Sequence, residues 1–140
     1  MIPTYCHVKH DPENSQYGDC LRAALASILE LDTLNVPHFV HDDAPAEIVI
    51  QRMRDYLSET GMTLFLAAYP GDGRALDSFL ADMNQINPGL HYMLVGATSD
   101  GGPHVVVCCG DQIVHNPAWH GCAIKGPIDG IWQIMVVARK

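Results

Sequence analysis

The spacing of the apolar residues changes along this chain of 140 residues, and this change limits the fold more than any other feature. In the first part, apolar residues recur every three or four positions, as on the buried face of a helix. From residue 91 onward they form short runs rich in valine and isoleucine, separated by glycine-bearing turns, as in antiparallel strands. Helices that precede an antiparallel sheet predict an α+β fold, in which the N-terminal helices pack on the C-terminal sheet.

The turn-forming residues between these runs give the expected bounds of each element. We expect helices over 19–31, 45–60 and 75–86, and strands over 62–68, 91–97, 104–109, 112–115 and 131–138. Asp19 is the expected N-cap of the first helix, which places Cys20 in its first turn. No internal repeat or linker interrupts the pattern, so residues 1–140 are expected to form a single domain.

The charge of the chain narrows the classes of partner. Sixteen acidic residues against eight lysines and arginines give a formal net charge of −8, and the basic residues form no run. Binding to nucleic acid or to an anionic membrane surface requires a positive face. We therefore expect neither as a partner, and the sequence makes no prediction of the oligomeric state.

The cysteines indicate a compartment. There are five of them, an odd number, and the first ten residues lack the apolar core of a secretory signal. No apolar run approaches the roughly 20 residues that span a membrane. A disulfide framework is therefore not expected, and the chain is predicted to be cytoplasmic with reduced thiols.

Cys20 is the strongest candidate for a reactive group. A thiol in the first turn of a helix faces free backbone N–H groups and the positive end of the helix dipole, and both favour the thiolate. Gly18 lets the backbone turn sharply just before it. The same position also suits a small buried residue of an amphipathic helix, so the choice depends on which groups lie near Cys20.

Two further residues favour the reactive thiol. His104 opens a strand directly after a Gly-Gly-Pro turn, and Asn116 follows the next strand. Counting outward from the tight turn at Gly110 and Asp111 places both residues at the same end of a hairpin. There the amide of Asn116 can orient the imidazole of His104, as the third group of a catalytic triad does.

Three stretches of the sequence carry a resemblance to a known superfamily: 18–26 (GDCLRAALA), 104–107 (HVVV) and 115–117 (HNP). In this order they resemble papain-like cysteine peptidases, and in particular compact bacterial and phage members akin to the peptidase domains that trim bacteriocin leaders at a double glycine. Those domains carry an Asp-Cys helix start, a His that opens a strand, and an Asp-Pro or Asn-Pro after the next strand.

The resemblance implies a papain-like fold and a thiol hydrolase, a cysteine peptidase or an amidase, that acts on a peptide or protein without a cofactor. It makes Cys20 the nucleophile, His104 the general base and acid, and Asn116 the orienting group. The reaction would pass through an acyl-thioenzyme. The backbone N–H of Cys20 would help to form the oxyanion hole.

Papain-like enzymes usually add a Gln six residues before the Cys, and this chain departs from that pattern. Asn14 stands at that position, and Gln16 stands four residues before the Cys. Gln16 and Asn14 are therefore the two candidates for a side chain in the oxyanion hole. Trp119 is a candidate wall of the substrate site, because papain-like sites often shelter the Asn and His with an indole.

Other functions fit parts of the same pattern. The departure at Asn14 also suits a catalytically weak or inactive papain-like module that binds a peptide or partner, and the same thiol suits a deamidase or acyltransferase acting on a partner protein. Residues 18–20 also resemble the Gly-Asp-Cys of ovarian-tumour-type deubiquitinases. In those enzymes an Asp stands where this chain has Tyr17, and a late His-Tyr pair would correspond to His91 and Tyr92.

Histidines and cysteines toward the C-terminus raise the possibility of zinc. Cys108 and Cys109 are adjacent, so they point to opposite faces of a strand. His115 and His120 are five positions apart across Pro117, which makes them a weak pair for a structural zinc site. We therefore expect no metal.

Overall fold

The computed structural model describes residues 1–119 and 121–140; His120, half of the weak histidine pair, lies outside the described residues. The helices and strands are α1 (Cys20–Leu29), α2 (Ala46–Ser58), β1 (Met62–Pro70), α3 (Leu76–Ile86), β2 (His91–Ala97), β3 (Pro103–Cys109), β4 (Gln112–His115) and β5 (Ile131–Arg139). The α+β prediction is confirmed, and each expected element is present with bounds that differ by at most two residues. Of the helices in the described part of the chain, none combines the length and apolar character that a membrane-spanning helix requires.

The five strands form one antiparallel sheet in the order β1-β5-β2-β3-β4. β3 is an almost continuous apolar run because the protein covers it on both faces. Val105 and Val107 belong to an apolar cluster on one face, and Val106 and Cys108 belong to a second cluster on the other. This strand therefore crosses the middle of the protein and leads to the candidate site at its first residues.

The helices divide between the two faces of the sheet. α1 and α2 pack in the first cluster through side chains such as Leu25 and Met53, which are fully buried. α3 packs in the second cluster, where Phe79 stacks on the buried ring of Trp132 at 5.4 Å between centroids. The alanines in α1 allow a close approach to β3, so the N-terminal end of α1 is held beside the first residues of that strand.

The first ten residues form neither a helix nor a strand, but hydrogen bonds hold them along α1. The backbone N–H of Ile2 donates to the carbonyl oxygen of Ser27 at 3.0 Å. Further along, the N–H of Cys6 donates to the carbonyl oxygen of Pro117 at 2.9 Å. Cys6 is thereby fixed between α1 and the loop that follows β4.

Asp19 holds the N-cap position of α1, but its side chain makes no capping hydrogen bond. The predicted N-cap position is confirmed, but the carboxylate is fully buried and accepts other donors. Its Oδ1 accepts the N–H groups of His7 and Val8, each at 2.9 Å, and its Oδ2 accepts the guanidinium of Arg22 at 2.6 Å. A buried carboxylate needs this number of donors, and these bonds attach the N-terminal segment to the helix one residue before Cys20.

Candidate active site

Cys20 is the first residue of α1, and its side chain is partly exposed. The pKa of this thiol is lowered to about 5, chiefly by the hydrogen bond with Cys6 and then by the hydrogen bond and charge of His104. These effects outweigh the burial of the sulfur and the negative charge of Asp19, which raise the pKa. Cys20 is therefore a thiolate at neutral pH, which is the nucleophilic form.

His104 lies near the start of β3 and is 3% exposed. Its Nε2 donates to Oδ1 of Asn116 at 2.8 Å, which leaves Nδ1 as the ring nitrogen for Cys20. Burial alone would lower the pKa of His104, but the hydrogen bond and charge of Cys20, together with the bond to Asn116, raise it above the ordinary value. The thiolate and the imidazolium thus stabilise each other as an ion pair.

Asn116 directly follows β4, and both ends of its amide have partners. Its Nδ2 donates to the carbonyl oxygen of Cys122, and its Oδ1 accepts the N–H of Ala118 at 3.1 Å in addition to that of His104. A rotated amide would place N–H groups against two donors, so the hydrogen bonds fix its orientation. The two side chains of the hairpin meet, as counting from the turn predicts.

Cys6 is a fourth member of this group, and no sequence pattern singles it out. Its sulfur lies 3.0 Å from that of Cys20, and the residue is 4% exposed. The hydrogen bond with Cys20, burial and the charge of the Cys20 thiolate raise the pKa of Cys6, so it stays protonated and donates. The two cysteines are 14 positions apart in the sequence, and only the path of the irregular N-terminal segment brings them together.

A cavity of about 370 Å³ opens beside the Cys20 sulfur and the His104 ring. Its walls come from the N-terminal segment, α1, α2 and the sheet, and they are mainly apolar. Six of the apolar lining residues are Val8, Leu21, Val40, Val49, Ile50 and Met135. Among the described residues that line it, none is an Asp, Glu, Lys or Arg. The arrangement therefore suits an uncharged apolar group placed next to the thiolate.

The two oxyanion candidates lie apart from this cavity. Asn14 is exposed, and its amide donates to Oδ2 of Asp11 at 2.7 Å. Gln16 is also exposed, and its backbone pairs with that of Asp11. Neither residue is among those described as lining the cavity. Trp119 lies three residues after Asn116 and is 63% exposed, outside the described lining of the cavity.

The residues of the other two patterns lie elsewhere. His91 pairs with Cys109 at one end of the β2–β3 ladder, whereas Gly96 pairs with His104 near the other end. The His91-Tyr92 pair is therefore remote from the His104 end of this ladder. In the described part of the chain, no group of three or more His, Cys, Asp or Glu side chains is arranged to hold a metal ion.

Comparisons with protein-family models, with curated proteins and with solved structures found no match for this chain. The function is therefore inferred from the site's own geometry and from the residue pattern.

Proposed function

We propose that this protein is a papain-like thiol hydrolase, a cysteine peptidase or amidase, that acts through Cys20, His104 and Asn116. The observation that carries the proposal is that Cys20 and His104 line one cavity and that a fixed amide holds the imidazole of His104. The hydrogen bond with Cys6, and then the hydrogen bond and charge of His104, lower the pKa of Cys20, and Nε2 of His104 donates to Asn116 at 2.8 Å. A nucleophile, a base in contact with it and a third group that orients the base are the parts that acyl transfer requires.

The chemistry follows from these positions. The Cys20 thiolate attacks the carbonyl carbon of an amide, and the carbonyl oxygen takes up the negative charge. The backbone N–H of Cys20 lies in the first turn of α1, where N–H groups have no partner within the helix, so it is available to stabilise that oxygen. His104 then gives its Nδ1 proton to the leaving nitrogen, which produces an acyl-thioenzyme. Neutral His104 next deprotonates a water molecule, which releases the acid and restores the thiolate.

The lining of the cavity favours a substrate with an apolar side chain. Apart from the Cys20–His104 pair, the lining is mainly apolar and its described residues include no Asp, Glu, Lys or Arg, so a charged substrate group away from that pair would lack a partner. We assign the substrate as a peptide or protein with a bulky apolar side chain beside the bond that is cleaved. This choice requires no cofactor and no positive surface.

The reactive thiol also favours a compartment. All five cysteines are free, and a thiolate with a pKa of about 5 is easily oxidised. We place the protein in the reducing cytoplasm, where such a thiol persists.

Two alternatives share the site. The exposed positions of Asn14 and Gln16 favour a module that binds its peptide with little or no turnover, because neither of these two amides then serves as a donor to the oxyanion. A deamidase or acyltransferase would use the same acyl-thioenzyme but would release ammonia or pass the acyl group to another acceptor.

A thiol-reactive probe tests the nucleophile. The wild type, Cys20→Ala, His104→Ala and Cys122→Ala would be labelled with a small fluorescent iodoacetamide at neutral pH. We expect Cys20→Ala to lose the fast labelling and His104→Ala to slow it. Cys122→Ala is the matched control, because Cys122 lines the same cavity and should not change the fast phase. Equal labelling of the wild type and Cys20→Ala would contradict the proposal.

Turnover separates the three functions. The wild type would be incubated with a peptide library that varies one side chain between apolar, acidic and basic, and the products would be weighed by mass spectrometry. Chain cleavage next to apolar residues is the expected result. An intact peptide with an amide converted to an acid identifies a deamidase. Binding that Cys20→Ser does not change, without any product, identifies the binding module.

A further inference from the structure

The second thiol at the site has no place in the hydrolytic reaction. Cys6 is buried, and its sulfur lies 3.0 Å from that of Cys20. Hydrolysis requires the nucleophile, the imidazole and the amide, but not a second sulfur. A buried thiol that contacts a partly exposed thiolate is, however, the arrangement in which a first oxidised cysteine is resolved by a second.

We propose that Cys6 and Cys20 form a reversible intramolecular disulfide when a peroxide oxidises Cys20, so that the pair is a redox modification site. The inference rests on the proposed function only in requiring the same reactive Cys20 thiolate. While the disulfide exists, the nucleophile is blocked. Reduction by a dithiol returns both cysteines and restores it.

The disulfide forms in two steps, which together consume one molecule of hydrogen peroxide and release two molecules of water. The Cys20 thiolate attacks hydrogen peroxide, an S–O bond forms, the O–O bond breaks, and the leaving hydroxide takes the His104 proton to give water. Cys20 is then a sulfenic acid, and the peroxide has been reduced. The Cys6 sulfur attacks the Cys20 sulfur, an S–S bond forms, and the S–O bond breaks. The hydroxyl leaves with the Cys6 proton as a second water molecule.

The surroundings set the order of these steps. Cys20 opens into the cavity, whereas Cys6 is 4% exposed, so a peroxide reaches Cys20 first. Before oxidation, the hydrogen bond and charge of the Cys20 thiolate keep the pKa of Cys6 high. Those two causes disappear once Cys20 is a neutral sulfenic acid, and Cys6 becomes easier to deprotonate.

The backbone holds the two sulfurs in place for this reaction. The N–H of Cys6 is bonded to Pro117 at 2.9 Å, and the next N–H, of His7, is bonded to the Asp19 carboxylate at 2.9 Å. Cys6 is therefore fixed on both sides, and the sulfurs need to approach by only about 1 Å to reach a disulfide bond length. Cys122 is the competing partner, since it lines the same cavity.

Trypsin cleaves after lysine and arginine, and their positions in this chain put Cys6 and Cys20 on different peptides. Cleavage after Lys9 and Arg22 places Cys6 on peptide 1–9 and Cys20 on peptide 10–22. The other three cysteines share peptide 75–125. The intact protein would be treated with one equivalent of hydrogen peroxide, blocked with N-ethylmaleimide, digested with trypsin without reductant and analysed by mass spectrometry.

We expect peptides 1–9 and 10–22 to be joined in the wild type and to separate after dithiothreitol. Cys6→Ser should give no joined peptide and should instead accumulate sulfinic acid on peptide 10–22 when more peroxide is added. Cys122→Ser is the matched control and should retain the joined pair. Circular dichroism would show that both variants are folded, and the wild-type result stands without them.

Two results would overturn the inference. One is the formation of sulfinic acid on Cys20 of the wild type at the same rate as in Cys6→Ser, without a joined peptide. That result leaves the proposed hydrolase intact, because it shows that the Cys20 thiolate is reactive. The other is a link from peptide 10–22 to 75–125 in place of the link to 1–9, and its loss in Cys122→Ser would identify Cys122 as the partner. A reversible link between 1–9 and 10–22 in a protein that turns over no amide supports the inference and removes the hydrolase.

Discussion

Nε2 of His104 donates to Oδ1 of Asn116 at 2.8 Å, and the same oxygen accepts the N–H of Ala118 at 3.1 Å. The amide therefore holds the imidazole in one orientation, with Nδ1 toward Cys20. Asn116→Ala removes this constraint, and we expect kcat for an amide substrate to fall about a hundredfold, with KM little changed. Steady-state kinetics on the cleaved peptide checks this split.

Asn116→Asp is the control that separates orientation from simple folding. A carboxylate still accepts the Nε2 proton but cannot donate to the carbonyl oxygen of Cys122. We expect partial recovery of kcat and an alkaline limit of activity that moves to higher pH, because a negative charge stabilises the imidazolium. Equal losses in both variants, with an unchanged pH profile, would mean that Asn116 serves only the fold.

The pH dependence of Cys20 gives the second prediction. With a pKa of about 5, the thiolate is present above that pH and is protonated below it. The rate of alkylation by iodoacetamide should therefore be constant at neutral pH and fall as the pH drops through about 5. Amide turnover should also decline at alkaline pH, as the pH rises through the raised pKa of His104 and the proton for the leaving group is lost.

Cys6→Ala should move the acid limb of the alkylation-rate profile of Cys20 to higher pH. The largest cause of the low pKa of Cys20 is its hydrogen bond with Cys6, so without that donor the pKa moves toward the ordinary value of 9.0. At a pH below the pKa, the thiolate fraction falls about tenfold for each pH unit by which the pKa rises. Cys122→Ala should leave the limb in place. An unchanged limb in Cys6→Ala would show that His104 alone sustains the thiolate.

The sequence predicts the positions of Cys20, His104 and Asn116 because each lies at the end of a regular helix or strand. His104 and Asn116 flank strands joined by a tight turn, where Gly110 has a φ of 57°, so counting along two short strands brings them together. Cys20 is placed by the start of one helix. These relations depend on regular elements whose geometry is known in advance.

Cys6 and the cavity depend on contacts that no local pattern encodes. The segment containing Cys6 has no regular structure, and its path follows from hydrogen bonds to Asp19 and to Pro117. The sequence predicts that Asp19 caps α1, since Asp is common there, but a buried carboxylate bonded to Arg22 satisfies more donors than a cap would. Contacts between distant parts of the chain determine both the position of Cys6 and the partners of the Asp19 carboxylate.

Asp19 provides the third prediction. Asp19→Asn removes the charge that pairs with Arg22 in a buried position, and we expect the free energy of unfolding to fall by about 3 kcal/mol. Asp43→Asn, at an exposed position, is the matched control and should change stability by less than about 0.5 kcal/mol. Urea unfolding at neutral pH measures both. A loss in Asp19→Asn no larger than in the control would contradict the assigned role.

Acid should remove the same contribution from the wild type. Burial alone would raise the pKa of Asp19, but hydrogen bonds from Val8, Arg22 and His7 hold it below the ordinary 3.8. A carboxyl with a lowered folded-state pKa stabilises the fold above its unfolded value, and this contribution is lost as the pH falls through the folded value. The difference in stability between the wild type and Asp19→Asn should therefore narrow below pH 3.8.

The cavity gives the last prediction, which separates substrate binding from thiol chemistry. Ala46 is exposed at the start of α2 and lines the cavity, so a larger side chain there can fill the space without disturbing the core. For Ala46→Phe we expect kcat/KM for a peptide with a bulky apolar residue to fall about tenfold, mainly through KM. The rate of alkylation by iodoacetamide should be unchanged, because that reagent is small. Ala81→Phe makes the same substitution at an exposed position of α3 and should alter neither kcat/KM nor the rate of alkylation. Equal effects of the two variants on KM would show that the cavity does not hold the substrate.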